Sequence, residues 1–363
     1  MIETKISISN KLWIYGNGVF AQRLAKSFTA LGFEIVGYFE MNEEFRTNSR
    51  LKSRNPLESD ATFQKEFSVI LGIGNGYADI KNIATKLKNQ GYEVIYPLTT
   101  LRFLYLKGIK LENYWMTGDF EIFDRCNEDI ESAYNRLADN RSKILFNNIL
   151  EFRKTGNPFI LLEHDPTALT YLPNDLPWIS KNELLQNVID AGAYDGDTLQ
   201  AFLQANVIID NWWCFEPDLK NLQRLKENRK HLEKKVNVTI IPCALWSKTE
   251  VLTFESGGDI GTGSAISKSG KDTILATSLD EIRDWKNCSL IKMDIEGAEL
   301  DAIKGGLETI IKNRPKLAIS IYHKPTDLWG IINYLDKNLD NYKFYLRSYC
   351  EQTFETVLYG VPE

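Results

Sequence analysis

Two acidic, small-residue clusters hold the side chains best suited to chemistry in this 363-residue chain, and each follows an apolar run. The first is Asp190-Ala191-Gly192-Ala193-Tyr194-Asp195-Gly196-Asp197-Thr198. Its small residues let the backbone pass close to a ligand. Its carboxylates disfavour a phosphate and suit a cationic group, such as a sulfonium cofactor with an amino-acid tail. Glu216, in Cys214-Phe215-Glu216-Pro217, ends the next apolar run. A carboxylate there can accept both hydroxyls of a ribose. The plainer reading of the same residue is a helix N-cap acid beside Pro217 and Asp218. In Ile241-Pro242-Cys243-Ala244-Leu245 the small Cys243 and Ala244 would leave a slot for an adenine ring, or would simply be core strand.

The second cluster is Ile291-Lys292-Met293-Asp294-Ile295-Glu296-Gly297-Ala298-Glu299. Alternate residues of a strand share a face, so Lys292, Asp294 and Glu296 are expected to point the same way. They can pair with one another or bind a polar ligand. Two carboxylates without further evident ligands are thin support for a hard metal ion, so hydrogen bonding is expected and no metal is assigned. His323, in Tyr322-His323-Lys324-Pro325-Thr326-Asp327, follows a later apolar run. His164, in a connector, and His231, in a charged helical stretch, read as surface residues. A histidine with an ordinary pKa of roughly 6.5 suits a general base that takes a proton from a hydroxyl, and His323 is expected in that role. Asp294 or Glu296 could orient its imidazole or could itself be the base. A structural histidine capping the helix at Asp327 is the alternative.

A third candidate lies near the start of the chain. Gly16-Asn17-Gly18 sits between a strand and a helix, with Ala21 in place of a third glycine and Glu40 ending the following strand. That spacing suits a dinucleotide, or only close helix-to-sheet packing. Gly72-Ile73-Gly74-Asn75-Gly76 would reach the same sheet edge.

These residues need elements to position them. LWIYG, FEIVGYFE, FSVILGIG and YEVIYP read as strands separated by helical stretches, which implies a parallel sheet. Leu101 to Gly156 reads as a helical bridge, and Asn157 to Pro177, with four prolines, as an irregular connector. From Lys181 the strands LQNVIDAG, WWCFEP, NVTIIPCAL, SLIKMDIEG and PKLAISIYH alternate with helices, and YKFYLRSY with FETVLYGV forms a closing hairpin. The expected fold is therefore α/β, with two Rossmann-like doubly wound domains. Residues 1–105 form the first, residues 106–180 the mostly helical bridge and connector, and residues 181–363 the second, a sheet ending in an antiparallel hairpin.

A net charge of −6 without a long basic block argues against a nucleic-acid partner. No Asn/Asp-Pro-Pro-Tyr/Phe segment of the kind used for exocyclic amine methylation occurs. Five scattered cysteines without a CxxC pair indicate neither a disulfide framework nor a zinc site, and Cys214 and Cys243 read as small core residues. No signal peptide or membrane-spanning run is evident, so a cytoplasmic location is expected. A homo-oligomer is left open.

In order, VIDAGAYDGDT, CFEPDLKNLQRLKEN, VTIIPCALWSKTEVLTF, TSLDEI and LIKMDIEGAELDAIKGG resemble the FkbM family of methyltransferases, from about Tyr171 to Glu363. The resemblance implies a class I methyltransferase sheet that binds S-adenosyl-L-methionine. Asp190, Gly192, Glu216 and Ala244 would line the cofactor site, joined there by Ala193, Tyr194, Asp195, Thr198, Pro217 and Cys243. Asp294 and Glu296 would lie near the transferred methyl. It also implies an acceptor hydroxyl on a sugar, glycan or secondary metabolite. Residues 1 to about 100 resemble the nucleotide-binding N-terminal domains of bacterial sugar acetyltransferases, which implies recognition of a nucleotide or sugar. The rivals are methylation of nucleic acid and a non-catalytic protein that keeps the cofactor fold.

Overall fold

A computed structural model describes residues 8–41, 53–56, 67–109, 111, 121–162, 168–232, 235–256, 265–266, 270–282 and 285–363. The expected His164 surface position lies outside the described residues. The chain forms two compact units that are not contiguous in sequence. One comprises residues 1–126, 147–163 and 350–352; the other comprises residues 127–146, 164–349 and 353–363.

In the first unit, β1 (Lys11–Tyr15), β2 (Glu34–Phe39), β3 (Ser53–Arg54), β4 (Ser68–Leu71) and β5 (Glu93–Ile95) form a parallel sheet in the order β3-β2-β1-β4-β5. The order reverses between β1 and β4, and both glycine turns lie at the carboxyl ends of those two strands. Gly72 is required by packing: a Cβ there would lie 2.8 Å from the Cβ of Ala21 on the helix Val19–Ala30. Gly18 faces open space.

The second unit is built on β6 (Leu184–Ala191), β7 (Ile208–Phe215) and β8 (Asn237–Ile241), which run parallel with β6 innermost. A small sheet of β9 (Ala244–Leu245), β10 (Glu250–Glu255), β11 (Ala265–Ile266) and β12 (Asp272–Thr277) follows. The chain then returns to the main sheet as β13 (Cys288–Met293) and β14 (Lys316–Ser320), and closes with the hairpin of β15 (Tyr342–Ser348) and β16 (Thr356–Pro362). The seven strands stand in the order β15-β16-β14-β13-β6-β7-β8. β15 and β16 pair antiparallel, as the sequence pattern anticipates, and β16 is also antiparallel to β14. The apolar strands are buried on both sides. Val188, Trp212, Leu290 and Ala318 on the sheet join Leu199, Phe202 and Leu225 on the helices Asp197–Gln204 and Leu219–Leu232 in one core. Cys214 and Cys243 are buried, as expected of small core residues.

The strand order reverses between β6 and β13. Open α/β sheets bind ligands outside the carboxyl ends of the strands at such a switch point. Both acidic clusters therefore converge there.

Candidate active site

The turn after β6 is shaped by one close approach. Gly192 has φ +75°, and a Cβ on it would stand 1.9 Å from the carbonyl oxygen of Asp294. The amide of Asp294 in turn donates to Ala191 O at 3.0 Å. Only glycine lets the ends of β6 and β13 touch in this way. Ala193 is buried in the core beneath the turn, and Thr198 lies in the first turn of the helix Asp197–Gln204. Asp195 faces Asp197, and burial followed by that neighbouring charge raises its pKa.

Glu216 stands at the end of β7 and is buried. Its Oε2 accepts the Tyr194 amide at 2.9 Å and its Oε1 accepts the Asp218 amide at 2.9 Å. Burial raises its pKa to about 7, against the lowering effect of those two amides. Glu216 thus ties the first acidic turn to the loop that carries Pro217. Cys243 and Ala244, both buried, follow the end of β8 and lead into β9.

Asp190 and Lys292 form a fully buried ion pair at 3.0 Å. Trp212 Nε1 donates to the other Asp190 oxygen at 3.0 Å, and Lys292 Nζ donates to Gly192 O at 2.7 Å. Burial opposes the Lys292 charge, but Asp190 outweighs it and raises the ammonium pKa. The pair braces the turn from below. β13 ends at Met293, so the strand alternation expected to carry Lys292, Asp294 and Glu296 on one face stops after Lys292. Glu296 lies in the following loop with φ +55°.

Beyond β13, Asp294, Glu296 and His323 come together, joined by Glu299 and two tyrosines that the sequence did not single out. His323 lies in the loop after β14. Its Nδ1 is 2.9 Å from Glu299 Oε1, and its Nε2 is 3.4 Å from both Asp294 Oδ1 and Glu296 Oε2. Burial would lower the imidazole pKa, but Glu299, Asp294 and Glu296 outweigh it and raise it to about 10. Tyr171 donates to Asp294 Oδ2 at 2.8 Å, and Tyr322 donates to Oδ1 at 3.3 Å. Burial would raise the Asp294 pKa, but His323 and Lys292 hold it below the ordinary value. Glu299 begins the helix Glu299–Gly305, and its Oε1 also accepts the Ile295 amide at 2.8 Å. Asp327, at the start of the helix Asp327–Asn338, donates nothing to His323; its carboxylate accepts the Lys324 amide at 2.9 Å. Burial and Glu299 raise its pKa to about 7. His231 is exposed, as its charged helix suggests.

Residues 190–349 match the methyltransferase FkbM domain. A curated relative, the 2-O-methyltransferase NoeI of Sinorhizobium fredii, is 26% identical over 149 residues. That alignment takes in 35% of this chain and 60% of the relative's length. The crystal structure of an FkbM methyltransferase from Methylobacillus flagellatus KT aligns with a TM-score of 0.77 at 22% identity, covering 97% of this chain and 90% of that one. At that identity the likeness is one of fold. The FkbM-type segment contains the Asp190–Lys292 pair, the Glu216 clamp and the His323 cluster. Tyr171 lies outside it. No helix among the described residues is long and apolar enough to cross a membrane.

Proposed function

We propose that the chain is an S-adenosyl-L-methionine-dependent O-methyltransferase acting on a hydroxyl of a sugar, glycan or nucleotide-sugar building block. The observation that carries this reading is the acidic edge at the β6–β13 switch point, set within the FkbM-type segment. Asp195, Asp197 and Glu216 lie along it; burial and the Asp197 charge raise the pKa of Asp195, and burial raises that of Glu216. Such a group favours a ligand that brings positive charge. Gly192 brings the end of β13, and with it Asp294, against the turn after β6. These residues fit S-adenosylmethionine, with Glu216 at its ribose, Asp190, Gly192, Ala193, Tyr194, Asp195 and Thr198 forming or bracing the turn beside it, and Pro217, Cys243 and Ala244 beside the adenine. The sulfonium supplies an electrophilic methyl group with a neutral thioether as leaving group.

The chain's own task is then to align the acceptor and receive its proton. Asp294 and Glu296 reach the open side of the site, and His323 lies behind them against buried Glu299. His323, surrounded by three carboxylates, serves as the positive partner that holds them in place. Asp294, oriented by Tyr171 and Tyr322, is the proton acceptor. Lys292 acts through Asp190 and Gly192 on the shape of the turn. The NoeI likeness favours oxygen as the methylated atom. The parallel order of the first unit, with both glycine turns at its own switch point, supports recognition of a nucleotide or sugar there.

Calorimetric titration of the full chain with S-adenosylmethionine tests the cofactor assignment. Glu216→Ala is expected to weaken binding by about 1–3 kcal/mol, the loss from unpairing a polar site. Unchanged affinity in that variant would remove Glu216 from the cofactor site.

A further inference from the structure

We propose that Asp294, Glu299 and His323 form a binding site for an octahedral divalent cation of the Mn2+ class, with Glu296 at its open rim. One ligand atom from each of the first three residues lies within 4.8 Å of the others. That is the spacing of a set that a small inward movement of side chains would close around an ion bound at about 2.1 Å. The bonding capacity for such an ion is unspent. Glu299 is fully buried, yet its Oε2 has no hydrogen-bond partner. The His323 side chain is 8% exposed, and its buried Nε2 likewise lacks an aligned partner while facing Asp294 and Glu296. Buried polar atoms are ordinarily satisfied, so orphans on two neighbouring buried side chains beside Asp294 and Glu296 mark a ligand's place.

Charge points the same way. Asp294, Glu296 and Glu299 all lie within 3.4 Å of one imidazole. Lys292, the next cation, is engaged with Asp190. Three carboxylates facing a single imidazole leave a surplus of negative charge that a divalent ion would neutralise, displacing the proton that His323 carries in the ion-free chain. Several carboxylate oxygens and one imidazole nitrogen, with no thiolate, suit Mn2+ better than zinc-type thiolate sites. Resting on the methyl-transfer reading, the ion would bind an oxygen of the acceptor and make its hydroxyl more acidic. Binding of the ion itself does not depend on that reading.

The test is direct titration of metal-free full-length protein with Mn2+, followed by the loss of the free-ion electron paramagnetic resonance signal. One saturable site per chain is expected, with spin-echo modulation from a single histidine nitrogen in the unaltered protein. Asp294→Asn and Glu299→Gln should each weaken binding by at least tenfold. The spectroscopic signature needs no variant, so a misfolded Glu299→Gln protein does not blunt the test. Absence of saturable binding at millimolar Mn2+ overturns the proposal. So does a saturable site that shows no nitrogen coupling and is unmoved by Asp294→Asn, which would lie elsewhere on the chain. Methyl transfer that proceeds in the presence of a chelator, with no Mn2+ site, would leave the enzymatic reading standing and remove the ion alone.

Discussion

Glu216 carries the clearest titration signature among the proposed cofactor residues. Burial raises its pKa from 4.5 to about 7 while it clamps the amides of Tyr194 and Asp218. A carboxyl whose folded pKa is raised stabilises the fold fully below its unfolded pKa and loses that contribution as pH rises through the folded value. The ligand-free chain is therefore expected to lose on the order of 2–3 kcal/mol of unfolding free energy between about pH 4.5 and pH 7 through this group. S-adenosylmethionine should bind more tightly over the same rise, because the carboxylate form is the one that accepts both ribose hydroxyls. Chemical denaturation and calorimetry at several pH values, on the unaltered chain and on Glu216→Ala, check both trends. A pH dependence that survives intact in the variant would place the titrating group elsewhere. At this scale the sequence was informative where chemistry is local: Asp190, Gly192, Glu216, Asp294 and His323 all gather at one edge. It was silent on Glu299, which reads as an ordinary acid in the first turn of a helix and meets His323 only through the fold. Tyr171 stands in a proline-rich connector, and nothing in its surroundings announces a hydrogen bond to Asp294 across 123 residues of chain.

Among the elements, β13 shows how a sound local rule reaches its limit. The alternation argument needs an extended strand through Glu296, but the strand ends at Met293 and the loop turns through a positive φ at Glu296. Lys292 therefore stays under the sheet edge with Asp190 while Asp294 and Glu296 emerge from it. Lys292→Met should leave the Asp190 carboxylate buried without its partner and cost about 3–5 kcal/mol in unfolding free energy, measured by denaturant titration. An unchanged unfolding free energy accompanied by lost turnover would instead make Lys292 a participant in the reaction. The parallel strands and the closing hairpin were legible because apolar runs of strand length alternate with amphipathic helices. The sheet of β9 to β12 was not, because β9 and β11 are only two residues long and carry no periodicity. The helical stretch between β13 and β14 is two helices, Glu299–Gly305 and Leu307–Asn313, broken at Gly305-Gly306. A Cβ on Gly305 would lie 2.1 Å from Trp246 O, so a close backbone contact dictates glycine there.

For the whole molecule, the proposed function has the acidic edge at the switch point of the second unit deliver a methyl group to a hydroxyl. The α/β class follows from the pattern of the chain, whereas the acceptor depends on surfaces that no motif encodes. The most direct measurement incubates the full chain with S-adenosylmethionine carrying a deuterated methyl group and a panel of sugar nucleotides and glycans, with the products resolved by mass spectrometry and NMR. A deuterated methyl ether is expected on one hydroxyl of at least one carbohydrate acceptor, with turnover falling about a hundredfold or more in Asp294→Asn, within the usual contribution of a general base. Label found on nitrogen or carbon, or full turnover in Asp294→Asn, would contradict it.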